Sequence, residues 1–308
     1  MSISATEPYW YLASYPKSGN TWCRVFITEL RRLSGLDGAE ATEAALQQEQ
    51  ELRLNRGLAT GSIVSSRRWL DDQLGIDSSD LSWAELDKVR GRAGHQRALY
   101  AESLRYHKVH DAFVSPDSSG CPVVPVQGCH GAVVVIRHPA DVAVSLSHFF
   151  SWPLDRCVDF LLDDQAALCR SSRCGGPQVR QFMGTWTNHL HSWVDQQHIP
   201  VLLLRYEDLL NEAQPHFSRL ARFLELPAEP ELIAEAVANS NFQTLKSKEE
   251  REGGFHERPD GCERFFRSGR SGEGRQTLTS EQFARLSETF EESLKHFGYW
   301  SSETQGRS

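Results

Sequence analysis

Ser14-Tyr15-Pro16-Lys17-Ser18-Gly19-Asn20-Thr21-Trp22 lies between a short apolar run, Tyr9-Trp10-Tyr11-Leu12-Ala13, and the segment Cys23-Arg24-Val25-Phe26-Ile27-Thr28-Glu29-Leu30. The run before it reads as a buried strand. The apolar positions after it recur at helical spacing. A strand, a tight loop and a helix start in that order make a cradle for an anion. The backbone N–H groups at a helix N-terminus point outward, and the helix dipole favours negative charge there. Gly19 allows close backbone approach. Lys17 adds a full charge, and Ser18 and Thr21 add hydroxyl donors. The order is not that of a Walker loop, which needs Gly, four residues, then Gly-Lys-Ser/Thr.

The 308 residues are 39% apolar and 24% charged, a globular composition with enough length for a large core. They are expected to form a single domain, residues 1–308, with a core from about 9 to 299. The formal charge of −8 argues against general nucleic-acid binding. An anionic ligand must therefore be held by local basic residues rather than by the overall field. The seven cysteines include no close-spaced CxxC pairs, so reduced thiols and a cytoplasmic location are expected. Cys169 and Cys174 are a weak metal or redox signal. Met1 to Pro8 does not read as a secretion signal. No apolar run approaches the about 20 residues of a membrane span.

Gly131-Ala132-Val133-Val134-Val135-Ile136 and Pro200-Val201-Leu202-Leu203-Leu204-Arg205-Tyr206 are apolar without alternation, as in parallel strands buried on both faces. Tyr106-His107-Lys108-Val109-His110 reads as another strand end. Helical patterns cover 141–150, 177–196, 213–224, 231–238 and 280–297. The fold class is therefore α/β: a central parallel sheet with helices on both faces and a phosphate loop after the first strand. Residues 37–104 read as inserted helices and loops, either a structural insert or part of a ligand pocket. Residues 247–275 read as a long loop rich in Gly and charge.

Other groups carry chemistry. In Ile136-Arg137-His138-Pro139-Ala140-Asp141-Val142-Ala143-Val144-Ser145 a buried strand ends at an arginine able to grip phosphate bidentately. Pro139 suits a first helical turn. Ser145 follows early in that helix, although a structural ion pair at a strand end would use the same arginine. In Lys108-Val109-His110, alternation puts both side chains on one face and His107 on the other. A histidine near neutrality suits a general base, although most of the twelve histidines must be surface or structural.

The ordered set resembles the cytosolic-type sulfotransferases, which use 3′-phosphoadenosine 5′-phosphosulfate (PAPS) and release the bisphosphate PAP. Residues 14–22 resemble the 5′-phosphosulfate loop, with Asn20 where Thr is usual. Residues 137–145 resemble the 3′-phosphate segment, with His138 where Asn is common. Arg205-Tyr206-Glu207-Asp208-Leu209 and Ser240-Asn241-Phe242 resemble segments near the adenine. Phe266-Arg267-Ser268-Gly269-Arg270-Ser271-Gly272-Glu273-Gly274-Arg275 resembles a loop that closes on the 3′-phosphate, with Ser268 for a common Lys and Gly274 for a common Trp. No C-terminal dimer motif is matched, which leaves the oligomeric state open.

The resemblance implies roles. His110 would be the base, assisted by Lys17 and Lys108. Lys17, Ser18, Gly19, Asn20, Thr21 and Trp22 would hold the 5′ end, with Trp22 and Phe242 on the purine. Arg137, Ser145, Arg267, Ser268 and Gly269 would hold the 3′-phosphate, and Tyr206 and Ser240 would lie near the adenine. No metal is expected, and the acceptor would be a small phenol or alcohol. The alternatives are a catalytically silent binder of the same nucleotide and, ranked lower, a nucleotide phosphotransferase.

Overall fold

The computed structural model describes residues 9–36, 63–100, 106–115, 122–170, 176–251, 255, 259 and 261–300. Its centre is a parallel sheet of four strands, β1 (Tyr9–Ser14), β2 (Tyr106–Val109), β3 (Cys129–Ile136) and β6 (Val201–Arg205), in the order β2-β1-β3-β6. Leu12 pairs with both Lys108 and Val133, and Ile136 pairs with Arg205. The strand order reverses between β1 and β3. In open α/β sheets that reversal opens a crevice at the carboxyl ends of the strands, where ligands bind.

Helices cover both faces, which is why β1 and β3 are apolar at every second residue on each side. Tyr9, Tyr11, Ala13, Val134 and Ile136 face one core. This core is closed by α4 (Pro139–Phe150), α5 (Leu154–Leu162), α6 (Trp186–Val194), α12 (Ser280–Thr289) and α13 (Glu291–His296). Trp10, Leu12, Val133 and Val135 face the other, against α1 (Asn20–Leu33), α8 (Ala213–Phe223) and α9 (Pro230–Ser240). α7 (Tyr206–Asn211) starts directly where β6 ends, α10 is Phe242–Arg251 and α11 is Glu273–Thr277.

The insert contributes α2 (Arg67–Leu74) and α3 (Trp83–Tyr100), while 37–62 and 101–105 lie outside the described residues. Three segments differ from their sequence patterns. The helix expected over 177–196 begins only at Trp186. Before it, β5 (Gln181–Phe182) pairs antiparallel with β4 (Ala167–Leu168). The backbone there bonds elsewhere: Val179 N–H donates to the Ser65 carbonyl at 2.9 Å, and the Pro177 carbonyl accepts from Arg67 N–H at 3.0 Å. The long C-terminal helix is two, broken at Phe290, whose φ is −106°. The loop over 247–275 is shorter at both ends, since α10 continues to Arg251 and α11 starts at Glu273. Cys23, Cys129, Cys157, Cys169 and Cys262 are thiols, and Cys174 lies outside the described residues. Among the described residues no helix is long and apolar enough to cross a membrane.

Candidate active site

The loop after β1 turns through two left-handed residues, Lys17 at φ 70° and Gly19 at φ 109°, and delivers the chain into α1. Asn20 fixes the junction. Its side-chain amide donates to the Leu12 carbonyl at 2.7 Å, so it pins the helix start to the strand rather than facing the crevice. The other atom of that amide, Oδ1, is buried and without a hydrogen-bond partner among the described residues. Ser18 is fully buried, and its hydroxyl has no hydrogen-bond partner among the described residues. The indole N–H of Trp22 is likewise buried and unpartnered among them. Thr21 and Trp22 sit half-buried on the first turn of α1. The Trp22 ring packs edge-on against Phe217 at 5.3 Å and Tyr206 at 5.9 Å.

Arg137, at the end of β3, joins two loops. Its guanidinium donates to the Lys17 carbonyl at 3.2 Å and to the Arg270 carbonyl at 2.8 Å, and lies 4.5 Å over the Tyr206 ring. Its Nε has no partner among the described residues. Tyr206 therefore sits beneath the phosphate loop. A Cβ on Gly19 would stand 2.7 Å from its ring. Burial raises the Tyr206 hydroxyl pKa, and the charge of Arg137 opposes that rise.

His138 caps α4 as the usual Asn would: its Nδ1 accepts from Ala140 N–H at 3.2 Å. Burial lowers its pKa to about 4, which keeps that nitrogen an acceptor. Its own N–H donates to Glu207 at 3.0 Å, and the Tyr299 hydroxyl donates to the other oxygen of Glu207 at 2.9 Å. Ser145 is half-buried on α4.

The loop of residues 267–274 is clamped by Asp141, a role the sequence pattern did not assign. Its carboxylate accepts from Gly272 N–H at 2.8 Å and Gly274 N–H at 2.6 Å. Gly269 lies against Phe242, which joins the two segments expected at the nucleotide. Ser240 is buried and donates only a long bond, 3.4 Å, to the Val237 carbonyl. Arg267 pairs with Glu273, and Ser268 donates to the same carboxylate at 2.7 Å. Burial works to raise the Glu273 pKa, but the Ser268 hydroxyl and the Arg267 charge together hold it below the usual range.

At the end of β2, His110 is 8% exposed and donates from Nδ1 to the Ser14 carbonyl at 2.7 Å. That bond puts the proton on Nδ1 and the lone pair on Nε2, the arrangement a base needs. His107 faces the opposite layer, against Tyr9 at 5.2 Å and Tyr11 at 6.1 Å. Lys108 is half-buried on the outer strand. The Lys17 ammonium lies 3.8 Å from the Phe149 ring centre and 4.3 Å from that of Phe265. Neither ring was linked to Lys17 by any local pattern. Among the described residues no three His, Cys, Asp or Glu side chains converge as metal ligands.

The arrangement defines an α/β protein in which the loop after β1, Arg137 and His110 gather at the carboxyl ends of the parallel strands. Residues 127–298 match the family described as "Sulfotransferase domain". The chain belongs to that family. It is 29% identical over 198 residues to Cytosolic sulfotransferase 12 of Arabidopsis thaliana, which covers 60% of this chain and 53% of that relative. It is 22% identical over 296 residues to Flavonol 3-sulfotransferase of Flaveria bidentis, covering 92% and 81%. In fold it is similar to mouse sulfotransferase SULT7A1 complexed with PAP, at TM-score 0.53 and 19% identity, covering 95% of this chain and 87% of that one. Retinol dehydratase in complex with androsterone and inactive cofactor PAP gives TM-score 0.55 and 18% identity, covering 95% and 83%.

Proposed function

We propose that this protein transfers the sulfuryl group of PAPS to a hydroxyl or amine of a small phenol or alcohol metabolite inside the cell, with His110 as the general base. The observation that carries the reading is the His110–Ser14 hydrogen bond, which sets the histidine beside the phosphate loop with its proton on Nδ1. The buried polar atoms of the crevice fit the donor. Ser18 Oγ, Trp22 Nε1 and Arg137 Nε are desolvated without partners among the described residues, a cost of about 1–3 kcal/mol each that a bound nucleotide would relieve.

Ser18, Thr21 and the amides from Gly19 into α1 would hold the 5′ end. Arg137, Ser145, Arg267, Ser268 and Gly269 would hold the 3′-phosphate and so select PAPS over ATP. Trp22 and Phe242 would flank the purine, with Tyr206 and Ser240 nearby. When bound, PAPS supplies the sulfuryl group and an anionic leaving group. His110 takes the acceptor proton at Nε2, and Lys17 and Lys108 place positive charge where negative charge accumulates. Lys17 must turn from Phe149 and Phe265 toward the crevice to do so.

The test is sulfate transfer from labelled PAPS to a panel of phenols and alcohols, read by mass spectrometry. His110→Ala should lose about 10²–10⁴ in kcat while keeping its PAP affinity. Lys17→Ala should abolish turnover. A His110→Ala enzyme of near-normal rate removes the base assignment. Purified, folded protein that gives no calorimetric signal with PAP removes the donor.

A further inference from the structure

The segment that carries His110 is held by elements outside the central sheet. Asp111, the next residue, forms a two-pronged pair with Arg90 of α3: Nη1 to Oδ1 at 2.9 Å and Nη2 to Oδ2 at 2.8 Å. The two side chains are 3% and 2% exposed. Arg90 also donates to the Arg180 carbonyl at 2.8 Å, and Asp111 accepts from Phe182 N–H at 3.0 Å. The pair thus ties α3 and β5 to the end of β2. Asp87 and Arg180, joined at 2.7 Å, complete a balanced set of two cations and two anions. The backbone is gripped as well. The His110 carbonyl accepts from His189 Nε2 at 3.2 Å, and the Asp111 carbonyl accepts from Trp193 Nε1 at 2.9 Å.

Stability alone does not account for such a pair. A buried ion pair costs desolvation of both charges, and apolar residues of similar volume are often as stable or more so. What two parallel hydrogen bonds add is direction: a planar guanidinium fixes the carboxylate in angle as well as distance. One residue away, the His110 ring depends on that backbone to keep Nδ1 on the Ser14 carbonyl.

We propose that Arg90 is a positioning residue for the transfer reaction: through Asp111 it fixes the backbone that aims His110. The proposal rests on the reading of His110 as the base. It makes α3 part of the catalytic apparatus although Arg90 bonds to the neighbour of His110, not to the ring.

The experiment compares the unaltered protein with Asp111→Asn, with Arg90→Gln/Asp111→Asn and with the conservative Arg90→Lys. In the first two, Asn retains an acceptor for Phe182 N–H. Lysine keeps the charge but loses the fork. The readouts are kcat and KM for PAPS, PAP affinity by calorimetry, and the ¹⁵N-imidazole spectrum of His110. A misaimed base should lower kcat by about 30-fold or more, since a displacement of about 1 Å can cost about 100-fold. KM for PAPS and PAP affinity should stay within about 2-fold, Arg90→Lys should fall between, and the single Nδ1–H tautomer should become mixed. The proposal is overturned if kcat stays near normal with the tautomer intact, or if kcat falls only as far as PAP binding falls. Should the unaltered protein transfer no sulfate at all, the base reading fails instead. The imidazole spectra then decide the positioning claim by themselves: mixing upholds it, and an unchanged tautomer ends it.

Discussion

Gly269 lies face to face with Phe242: a Cβ on this glycine would stand 2.3 Å from the ring atom Cδ2, and its φ is +61°. No real Cβ tolerates that distance, so the contact welds the loop of residues 267–274 to the start of α10. Those two segments are expected to hold the 3′-phosphate and the adenine, and they meet only because this side chain is missing.

Gly269→Ala should therefore weaken PAP binding by about 10-fold or more, as the loop lifts from the ring and the αL backbone is strained. Phe242→Leu alone should also weaken binding through the lost purine contact, but the double variant should lose less than the two single losses combined, because the space is vacated. Calorimetric titration of the three proteins measures this. Losses that simply add would mean that Phe242 matters for the purine and not for seating the loop.

A related argument applies to Gly274, which stands where the family commonly has Trp. Its Cβ would meet the Ala140 carbonyl carbon at 2.4 Å and the Ala140 Cβ at 2.5 Å. Gly274 N–H is held at the same time by Asp141. Helix and loop are in backbone contact here, so even a methyl group must push α4 and α11 apart. Gly274→Ala should destabilise the fold by about 1–3 kcal/mol, seen as a lower urea midpoint. Asp141→Asn should release the same loop at less cost to the core. A Gly274→Ala protein as stable as its parent would disprove the contact.

How much of this was legible beforehand follows from how local each determinant is. The β1 loop and Arg137 each lie at the end of an apolar run and the Lys108–His110 pair at a short strand end, so strand ends alone placed them on one edge of the sheet. Pro139 marked the start of α4, and Gly298, at φ 73°, ends α13 where the pattern stopped. Asn20 was legible as a donor but not as to its acceptor, because the Leu12 carbonyl comes near only after the loop has folded. The Arg90–Asp111 pair spans 21 residues and two elements, beyond any periodicity. Residues 177–182 read as helix because apolar spacing does not reveal that Val179 and Pro177 bond through their backbone to Ser65 and Arg67. Where the sequence departs from the family order, at His138 and Gly274, the structure supplies the compensation: an imidazole cap and a close backbone contact.

His138 makes the fold sensitive to acid. In the folded protein burial lowers its pKa from 6.5 to about 4, so the native state binds fewer protons than the unfolded chain between those values. The resulting stability is complete above about pH 6.5 and is lost as pH falls toward 4, by about 3 kcal/mol. His189, buried and also lowered to about 4, adds a term of the same sign over the same range. His138→Asn keeps a capping oxygen and cannot titrate. It should leave stability at pH 7.5 nearly unchanged and remove about half of the decline between pH 6.5 and 4.5. Urea midpoints across that range measure the slope. An identical slope in the variant would show that the histidine cap does not titrate with unfolding.

Glu273 occupies the groups that a 3′-phosphate would need. Its carboxylate pairs with Arg267 and accepts from Ser268, the two side chains expected at that phosphate. Binding PAP must then exchange one anion for another, and the internal one is always present. Neutralising it should help: Glu273→Gln frees a full charge on Arg267 while keeping an oxygen for Ser268. PAP affinity should rise by about 3- to 10-fold, an order-of-magnitude expectation for one half-exposed ion pair. Arg267→Ala should lower it. The gain should shrink in 0.5 M salt, where pairs of exposed charges are screened. Calorimetry at two salt concentrations separates the terms. If Glu273→Gln binds PAP no better than the parent at low salt, the carboxylate organises the loop for the phosphate rather than competing with it, and the exchange argument falls.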